Sequence, residues 1–348
     1  MARPIVALVS FRLGGSDGVS IEAAKWGHAL GALGYDVVTV AGAGPVDRLV
    51  PGLAIDAPEP PTAGALDDAL DDADLVVVEN LCSLPLNRAA GTLVAARLRG
   101  RPAVLHHHDL PWQRDRFAEF PPPPDDPAWA HVTTTDLSRR QLAERGIEST
   151  TIHNAFDTDA APGDGSRARA AIDVGPDERL VVQPTRAIAR KNVAEGLALA
   201  GAVGASFWLL GPAEDGFDER LDTILAGAVT RVVLGHGPGG RLPMADVYAA
   251  ADAVVLPSSW EGFGNPTVES AVHRRPLAVG RYPVAGELAA HGFRWFPSDE
   301  PGPLGAFLER PDPGLIEHNH RVADRHFATR DLPRRILGVL ERAGHRGP

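Results

Sequence analysis

The sequence predicts an α/β protein made of doubly wound parallel sheets. Short apolar runs of strand length alternate with longer helical stretches along the whole chain, the pattern of parallel strands joined by crossover helices. The runs fall into two sets, separated by residues 157–166, which are rich in Asp, Ala, Gly and Pro. Two sets of strands in a chain of 348 residues favour two medium domains over one barrel.

In the first set the expected strands are residues 5–11, 36–41, 75–79, 103–107, 132–134 and 151–153; in the second they are 179–183, 207–210, 232–234, 253–256, 277–279 and 293–296. Helical patterns at 21–33, 137–144, 193–201 and 267–273 lie between them. Residues 121–127, with five prolines and two aspartates, read as a stiff surface loop inside the first domain. A last helix over 332–343 has Asp331 as its N-cap and an apolar stripe at Leu332, Ile336, Leu337 and Leu340. The expected domains are residues 1–157 and 158–330, followed by a C-terminal helix in 331–348.

Composition narrows the function. A net charge of −11 speaks against a nucleic-acid surface, which needs a concentrated basic face, and against a basic membrane patch. No apolar run approaches the roughly 20 residues of a membrane span, and residues 5–11 have strand length only, so a cytoplasmic protein without a signal segment is expected. The single cysteine, Cys82, excludes an internal disulfide and a Cys-rich metal site. Only two of the 34 basic residues are lysines, Lys25 and Lys191.

The segment Glu261-Gly-Phe-Gly-Asn-Pro-Thr-Val-Glu269 carries the strongest chemical signal. It follows a strand-like run, and Asn265 and Pro266 suit the N-cap and first position of a helix. Free N–H groups at such a start attract anions, and the glycines admit a ligand close to the backbone. Two carboxylates flanking an anion site fit a ligand with phosphates in the middle and hydroxyls at both ends, as in a nucleotide-diphosphate sugar. The helix dipole alone favours an acid near this start, but it does not account for the Gly-Phe-Gly-Asn-Pro between the two.

Three further groups bear on the same chemistry. Gly14 and Gly15, in Leu13-Gly-Gly-Ser-Asp-Gly18, form either a phosphate loop or a tight strand-to-helix turn. The run lacks the G-x-G-x-x-G spacing, and the second strand carries no acid for a dinucleotide ribose. Arg186 and Lys191 follow a strand's carboxyl end as a diphosphate clamp or as a solvated basic turn, with Arg190 the less favoured contact. In His106-His-His-Asp109, extended backbone puts His106 and His108 on one face and His107 on the other. His108 or Asp109 serves as a polar substrate contact or as a strand-end cap; a metal site lacks an identifiable third ligand. The D-x-D pairs Asp72/Asp74 and Asp157/Asp159 read as caps and solvated turns.

At these residues the chain resembles the retaining glycosyltransferases of family 4 (group 1). The resemblance spans nearly the whole length and is most specific from Tyr248 through Ser258 and from Glu261 to Glu269. Arg186 with Lys191, Gly14-Gly15, His108-Asp109 and Asn154-Ala-Phe-Asp157 follow. It implies the GT-B architecture: two facing Rossmann-like domains, acceptor first and donor second, with the C-terminal helix crossing back to the first. It also implies transfer of a hexose from GDP-mannose or a UDP-hexose to an acceptor hydroxyl, without metal or cofactor. The implied catalytic residues are His108 beside the sugar, Arg186 and Lys191 on the diphosphate, and Glu261 on the hexose hydroxyls. The implied donor contacts are Gly14 and Gly15, the backbone of Gly262, Phe263, Gly264 and Asn265, Glu269 on the ribose, and Leu234 near the base. Asp109, Trp112 and Arg114 are expected to face the acceptor, a small soluble molecule. The chain departs from the family at Gln183-Pro-Thr185, where Gly-Arg is common, and at Asn192 in place of a glycine. A nucleotide-sugar 2-epimerase and a non-catalytic sugar-nucleotide-binding protein are the competing readings.

Overall fold

A computed structural model describes residues 2–15 and 17–345; Ser16 of the expected glycine loop lies outside the described residues. The chain forms two compact units, Met1–Ala155 with Thr329–Pro348, and Phe156–Ala328. Unit 1 holds a seven-stranded parallel sheet of β1 (Ile5–Ser10), β2 (Asp36–Ala41), β3 (Arg48–Leu49), β4 (Leu75–Glu79), β5 (Ala103–His107), β6 (Trp129–Thr133) and β7 (Thr150–Thr151), in the order β3-β2-β1-β4-β5-β6-β7. Unit 2 holds six parallel strands, β8 (Leu180–Gln183), β9 (Ser206–Leu209), β10 (Val232–Leu234), β11 (Ala253–Leu256), β12 (Leu277–Val279) and β13 (Phe296–Pro297), in the order β10-β9-β8-β11-β12-β13.

Each sheet therefore grows outward from its first strand, then crosses over and grows the other way. The loops leaving β1 and β4 in unit 1, and β8 and β11 in unit 2, diverge from adjacent strand ends. These switch points are where doubly wound sheets bind ligands.

Alternation along the strands explains why helices cover both faces. In unit 1, Val6, Leu8 and Val77 pack with Trp26, Leu30, Ile336 and Leu340 on one side. Ala7, Val9, Val76 and Val78 pack with Leu66, Val94 and Leu98 on the other. The C-terminal helix Leu332–Arg342 lies against the helix Gly18–Ala32. It buries Leu332, Ile336, Val339 and Leu340, at about 1.5–3 kcal/mol each. Val339 thus takes the buried place expected of Leu337, which is only half-buried. Asp331 stands at the N-cap without making a side-chain cap.

Other elements differ from expectation: β6 begins at Trp129, three residues early, and β7 ends at Thr151. β3 is an edge strand of two residues, too short to show alternation; Asp72 fixes it through paired bonds of 2.6 Å to Arg48. The strand expected at 293–296 begins only at Phe296, because Asn319 takes the Arg294 backbone, accepting from its N–H at 2.8 Å and donating to its carbonyl at 2.8 Å. No described helix is long and apolar enough to cross a membrane.

Candidate functional site

The unit 2 switch point is closed by a buried ion pair. Lys191 ends the 3-10 turn Ala189–Lys191 after β8, and its Nζ lies 2.5 Å from Oε1 of Glu261, in the turn after β11. The other carboxylate oxygen accepts from Arg190 Nη1 at 3.0 Å, and the same guanidinium donates to the Trp260 carbonyl at 2.9 Å. Arg190, ranked behind Arg186 from the sequence, is thus the second cation on Glu261. Arg186 instead pairs with Glu214 at 2.5 Å on a half-exposed surface. Burial pushes the Lys191 ammonium down, against the pull of Glu261, with Arg190 and Arg186 adding to the depression. Burial would raise the Glu261 carboxyl, but Lys191 and Arg190 outweigh it and hold it below the usual range. Two cations on one carboxylate leave a net positive charge at the strand ends.

The turn beyond Glu261 is shaped by Gly264, at φ +89°. A Cβ there would stand 2.5 Å from the Tyr282 hydroxyl and 3.4 Å from Glu261 Cγ. Phe263 points inward, 6.2 Å from Phe156 and 6.2 Å from Phe327, so its side chain anchors the turn while the backbone lines the surface. The helix Pro266–Val272 begins as expected, but Asn265 has helical angles (φ −44°, ψ −41°) and makes no side-chain cap. The Gly264 carbonyl accepts from Thr267 N–H instead, at 2.9 Å, and from the Thr267 hydroxyl at 2.7 Å. Glu269 lies in the first turn and accepts from the Tyr248 hydroxyl at 2.6 Å. The Tyr248 ring stacks on His273 at 4.9 Å. Leu234 closes β10 and is 53% exposed, next to Gly235, whose carbonyl accepts from Trp208 Nε1 at 2.7 Å.

In unit 1 the histidine run alternates as the extended backbone requires. His106 and His108 share a face, 4.3 Å between rings. Both bond Oε2 of Glu79 at the end of β4, from His106 Nδ1 at 2.8 Å and His108 Nε2 at 2.6 Å. His107 turns to the other face, between Ser83 Oγ (2.5 Å) and His131 (2.9 Å), and His131 reaches Asp125 at 3.1 Å in the Pro-rich loop. Glu79, His106 and His108 offer three ligand atoms close together. Their separations are those of hydrogen bonds, however; atoms about 2.1 Å from a tetrahedral ion stand about 3.4 Å apart. Burial alone would raise the Glu79 carboxyl, yet the two imidazoles hold it down at about 2.

The residues expected to face the acceptor have partners within unit 1. Asp109 pairs with Arg114 at 2.8 Å. Trp112 Nε1 bonds Gln141 at 3.0 Å, and Arg145 covers the Trp112 ring 3.7 Å from its centroid. Gly14 has φ +73°, and a Cβ would meet the Pro45 ring at 2.7 Å, so the turn itself demands glycine. Asp17 caps the following helix by accepting from Ser20 N at 3.2 Å, which takes one donor that a phosphate there would use. The D-x-D aspartates serve structure: Asp72 holds Arg48, Asp74 accepts from Ile5 N at 2.8 Å, and Asp157 accepts from Asp159 N at 3.2 Å. Both lysines carry a buried carboxylate, Lys25 on Glu22 at 2.9 Å and Lys191 on Glu261.

Sequence reasoning missed Glu79 and Asn80, and named Tyr248 only as the start of the family-like segment, not as the donor to Glu269. An acid ending an apolar strand, as Glu79 ends Leu75–Glu79, was the available signal for the first. Asn80 accepts from the backbone N–H groups of His108 (3.0 Å) and Asp109 (3.2 Å) while holding φ +63° itself.

No family model matches the chain. It is 26% identical to mannosylglucosylglycerate synthase of Thermotoga maritima, over 94% of this chain and 97% of that protein. Among solved structures it resembles Anabaena HepE in complex with UDP and glucose, with a TM-score of 0.74, 18% identity, and coverage of 98% of this chain and all of that one. Sucrose-phosphate synthase of Thermosynechococcus elongatus gives a TM-score of 0.71 at 14% identity, covering 98% and 99%. Two parallel sheets of switch-point topology, joined to these likenesses, make the chain a glycosyltransferase of the GT-B fold.

Proposed function

We propose that the chain is a retaining, metal-independent hexosyltransferase of family 4. It moves a hexose from GDP-mannose or a UDP-hexose to a hydroxyl of a small soluble acceptor. The observation that carries this reading is the buried Lys191–Glu261–Arg190 cluster at the β8/β11 switch point. Breaking the bond between sugar and diphosphate puts negative charge on the leaving group. Lys191 and Arg186 are the cations proposed to stabilise that charge, most strongly as it grows. Their fixed positive charge takes the part a divalent ion plays elsewhere. Glu261 orients Lys191 and accepts from hexose hydroxyls; Glu269, held by Tyr248, accepts from the ribose; His108 serves the reacting sugar.

The sugar gains oxocarbenium character as the bond lengthens. The paired carboxylates of a retaining glycosidase are absent from this reading. The acceptor therefore attacks on the face the diphosphate leaves, a phosphate oxygen takes its proton, and the anomeric configuration is kept. Asp109, Trp112 and Arg114 are the proposed acceptor contacts.

A thermal-shift panel of nucleotide sugars tests the donor. The Thermotoga relative is named for a mannosyl product and HepE was crystallised with UDP and glucose, so GDP-mannose and UDP-glucose lead the panel. A true donor at 100 times its Kd stabilises by about 2.7 kcal/mol. Proton NMR of the product reads its configuration. An inverted product, or interconversion of the donor without acceptor as an epimerase performs, would overturn the reading.

A further inference from the structure

We infer that Glu79 is a positioning residue for His108: its carboxylate fixes the imidazole through Nε2–H and leaves Nδ1–H as the donor presented at the end of β5. The inference rests on the proposed role of His108 at the reacting sugar.

Glu79 is fully buried, and its Oε2 lies 2.6 Å from His108 Nε2 and 2.8 Å from His106 Nδ1. A carboxylate in that position only accepts, so each imidazole nitrogen facing it must carry a proton. That fixes which ring edge of His108 faces inward. Nδ1 is left with no hydrogen-bond partner among the described residues. The main chain is pinned by the neighbouring residue: Asn80 Oδ1 accepts from the N–H groups of His108 and Asp109, and Asn80 N donates to the His106 carbonyl at 2.9 Å. The consecutive pair Glu79-Asn80, the last residue of β4 and the one after it, thus holds both the ring and the backbone at the end of β5.

The charges around His108 act in one direction. Glu79 from β4, Glu22 from the helix Gly18–Ala32 and Asp109 beside it all favour the imidazolium against burial, and the net effect is upward. His106, across the same carboxylate, is pushed down by burial, assisted by His108. One buried carboxylate with one charged and one neutral imidazole leaves no surplus charge in the interior, the arrangement low dielectric favours. With both nitrogens protonated, Nδ1–H is a charge-assisted donor, about twice as strong as a neutral one. It would suit a sugar hydroxyl or a phosphate oxygen carrying developing charge.

The test is nitrogen-15 NMR of the full-length protein, with the His108 ring signals assigned by His108→Gln. Wild-type His108 should have both ring nitrogens protonated at neutral pH. In Glu79→Gln its titration should move to lower pH, and the amide should be able to present its other face to the ring. Transfer by Glu79→Gln should show kcat down about 10–100-fold with little change in donor KM, and the alkaline limb of the pH–rate profile should move down with His108. If Glu79→Gln does not fold, the wild-type spectrum still decides. A neutral His108 with Nδ1 bare overturns the inference, as does a Glu79→Gln enzyme with unchanged kcat and pH profile. The ring spectra do not depend on turnover: transfer absent with every donor would sink the proposed function and leave the NMR result standing, whereas a bare Nδ1 in an active transferase would sink only the role of Glu79.

Discussion

Lys191 and Glu261 meet at 2.5 Å although 70 residues separate them, because β8 and β11 are neighbours at the one place where the sheet of unit 2 changes direction. Lys191 is 8% exposed and Glu261 is 5% exposed, so the pair is neither a surface contact nor readily replaced by solvent. Lys191→Ala removes a fixed cation from the proposed leaving-group site and should lower kcat/KM about 100–1000-fold. It also leaves Glu261 buried with Arg190 alone, so the melting temperature should fall. Lys191→Arg keeps the charge but not the compact ammonium and should restore the melting temperature better than the rate. Steady-state kinetics and thermal melts of the two variants separate these effects.

Tyr248 supports Glu269 through a hydrogen bond of 2.6 Å to its carboxylate. Tyr248→Phe keeps the ring stacked on His273 and removes only that donor. A hydrogen bond to a charged group is worth about 1.5–3 kcal/mol. If Glu269 grips the ribose equally in ground and transition states, the donor KM should rise about tenfold while kcat holds. A fall in kcat at constant KM would place Glu269 in the chemistry instead.

How far the sequence reached differs by type of contact. Local patterns were readable: the turn and helix from Glu261 to Glu269, the opposite faces of His107 and its neighbours, and the amphipathic final helix. Partners set by strand order were not. Glu79 meets His106 and His108 because β4 lies beside β5 with Glu79 in register with His106, and nothing within β4 announces that. The choice between Arg186 and Arg190 followed from the 3-10 turn Ala189–Lys191, which lies against the turn after β11: Ser259 N donates to the Arg190 carbonyl at 2.9 Å, and Arg190 Nη1 donates to the Trp260 carbonyl at 2.9 Å. Asn265 failed as a side-chain cap because it already has helical angles, and the Gly264 carbonyl takes the Thr267 N–H at 2.9 Å.

Gly264 and Tyr282 offer a test of how tightly the Glu261 turn is built. Gly264→Ala combines a positive φ with a Cβ 2.5 Å from the Tyr282 hydroxyl, so something must move, at about 1–3 kcal/mol. Tyr282→Phe removes the obstructing oxygen. The double variant should therefore be less destabilised than the sum of the single ones, by at least about 0.5 kcal/mol in denaturant melts. Strict additivity would mean that the backbone angle alone demands glycine.

The buried histidines of unit 1 predict the acid limb of stability. Burial holds His107 well below its ordinary value of 6.5, and holds His106 and His131 below it too. In the unfolded chain these rings return to ordinary behaviour and bind more protons below about pH 6.5, so folding stability falls as pH drops. His108 acts in the opposite sense. Its raised value adds stability below its unfolded value, and that contribution is lost as pH rises through the folded one. With His107 pushed well below its ordinary value and His106 and His131 acting in the same sense, the expected balance is a loss toward acid. Glu79, held at about 2 against 4.5, adds a second limb: its contribution is complete above about pH 4.5 and disappears as pH falls toward 2. The melting temperature should therefore decline from pH 7 to 5 and more steeply below 4.5. His107→Asn keeps a polar side chain between Ser83 and His131 but cannot titrate. It should lower stability at every pH and flatten the slope between pH 7 and 5, so thermal melts across that range read the histidine through the slope rather than the height. A slope unchanged by His107→Asn would assign the acid limb to other groups.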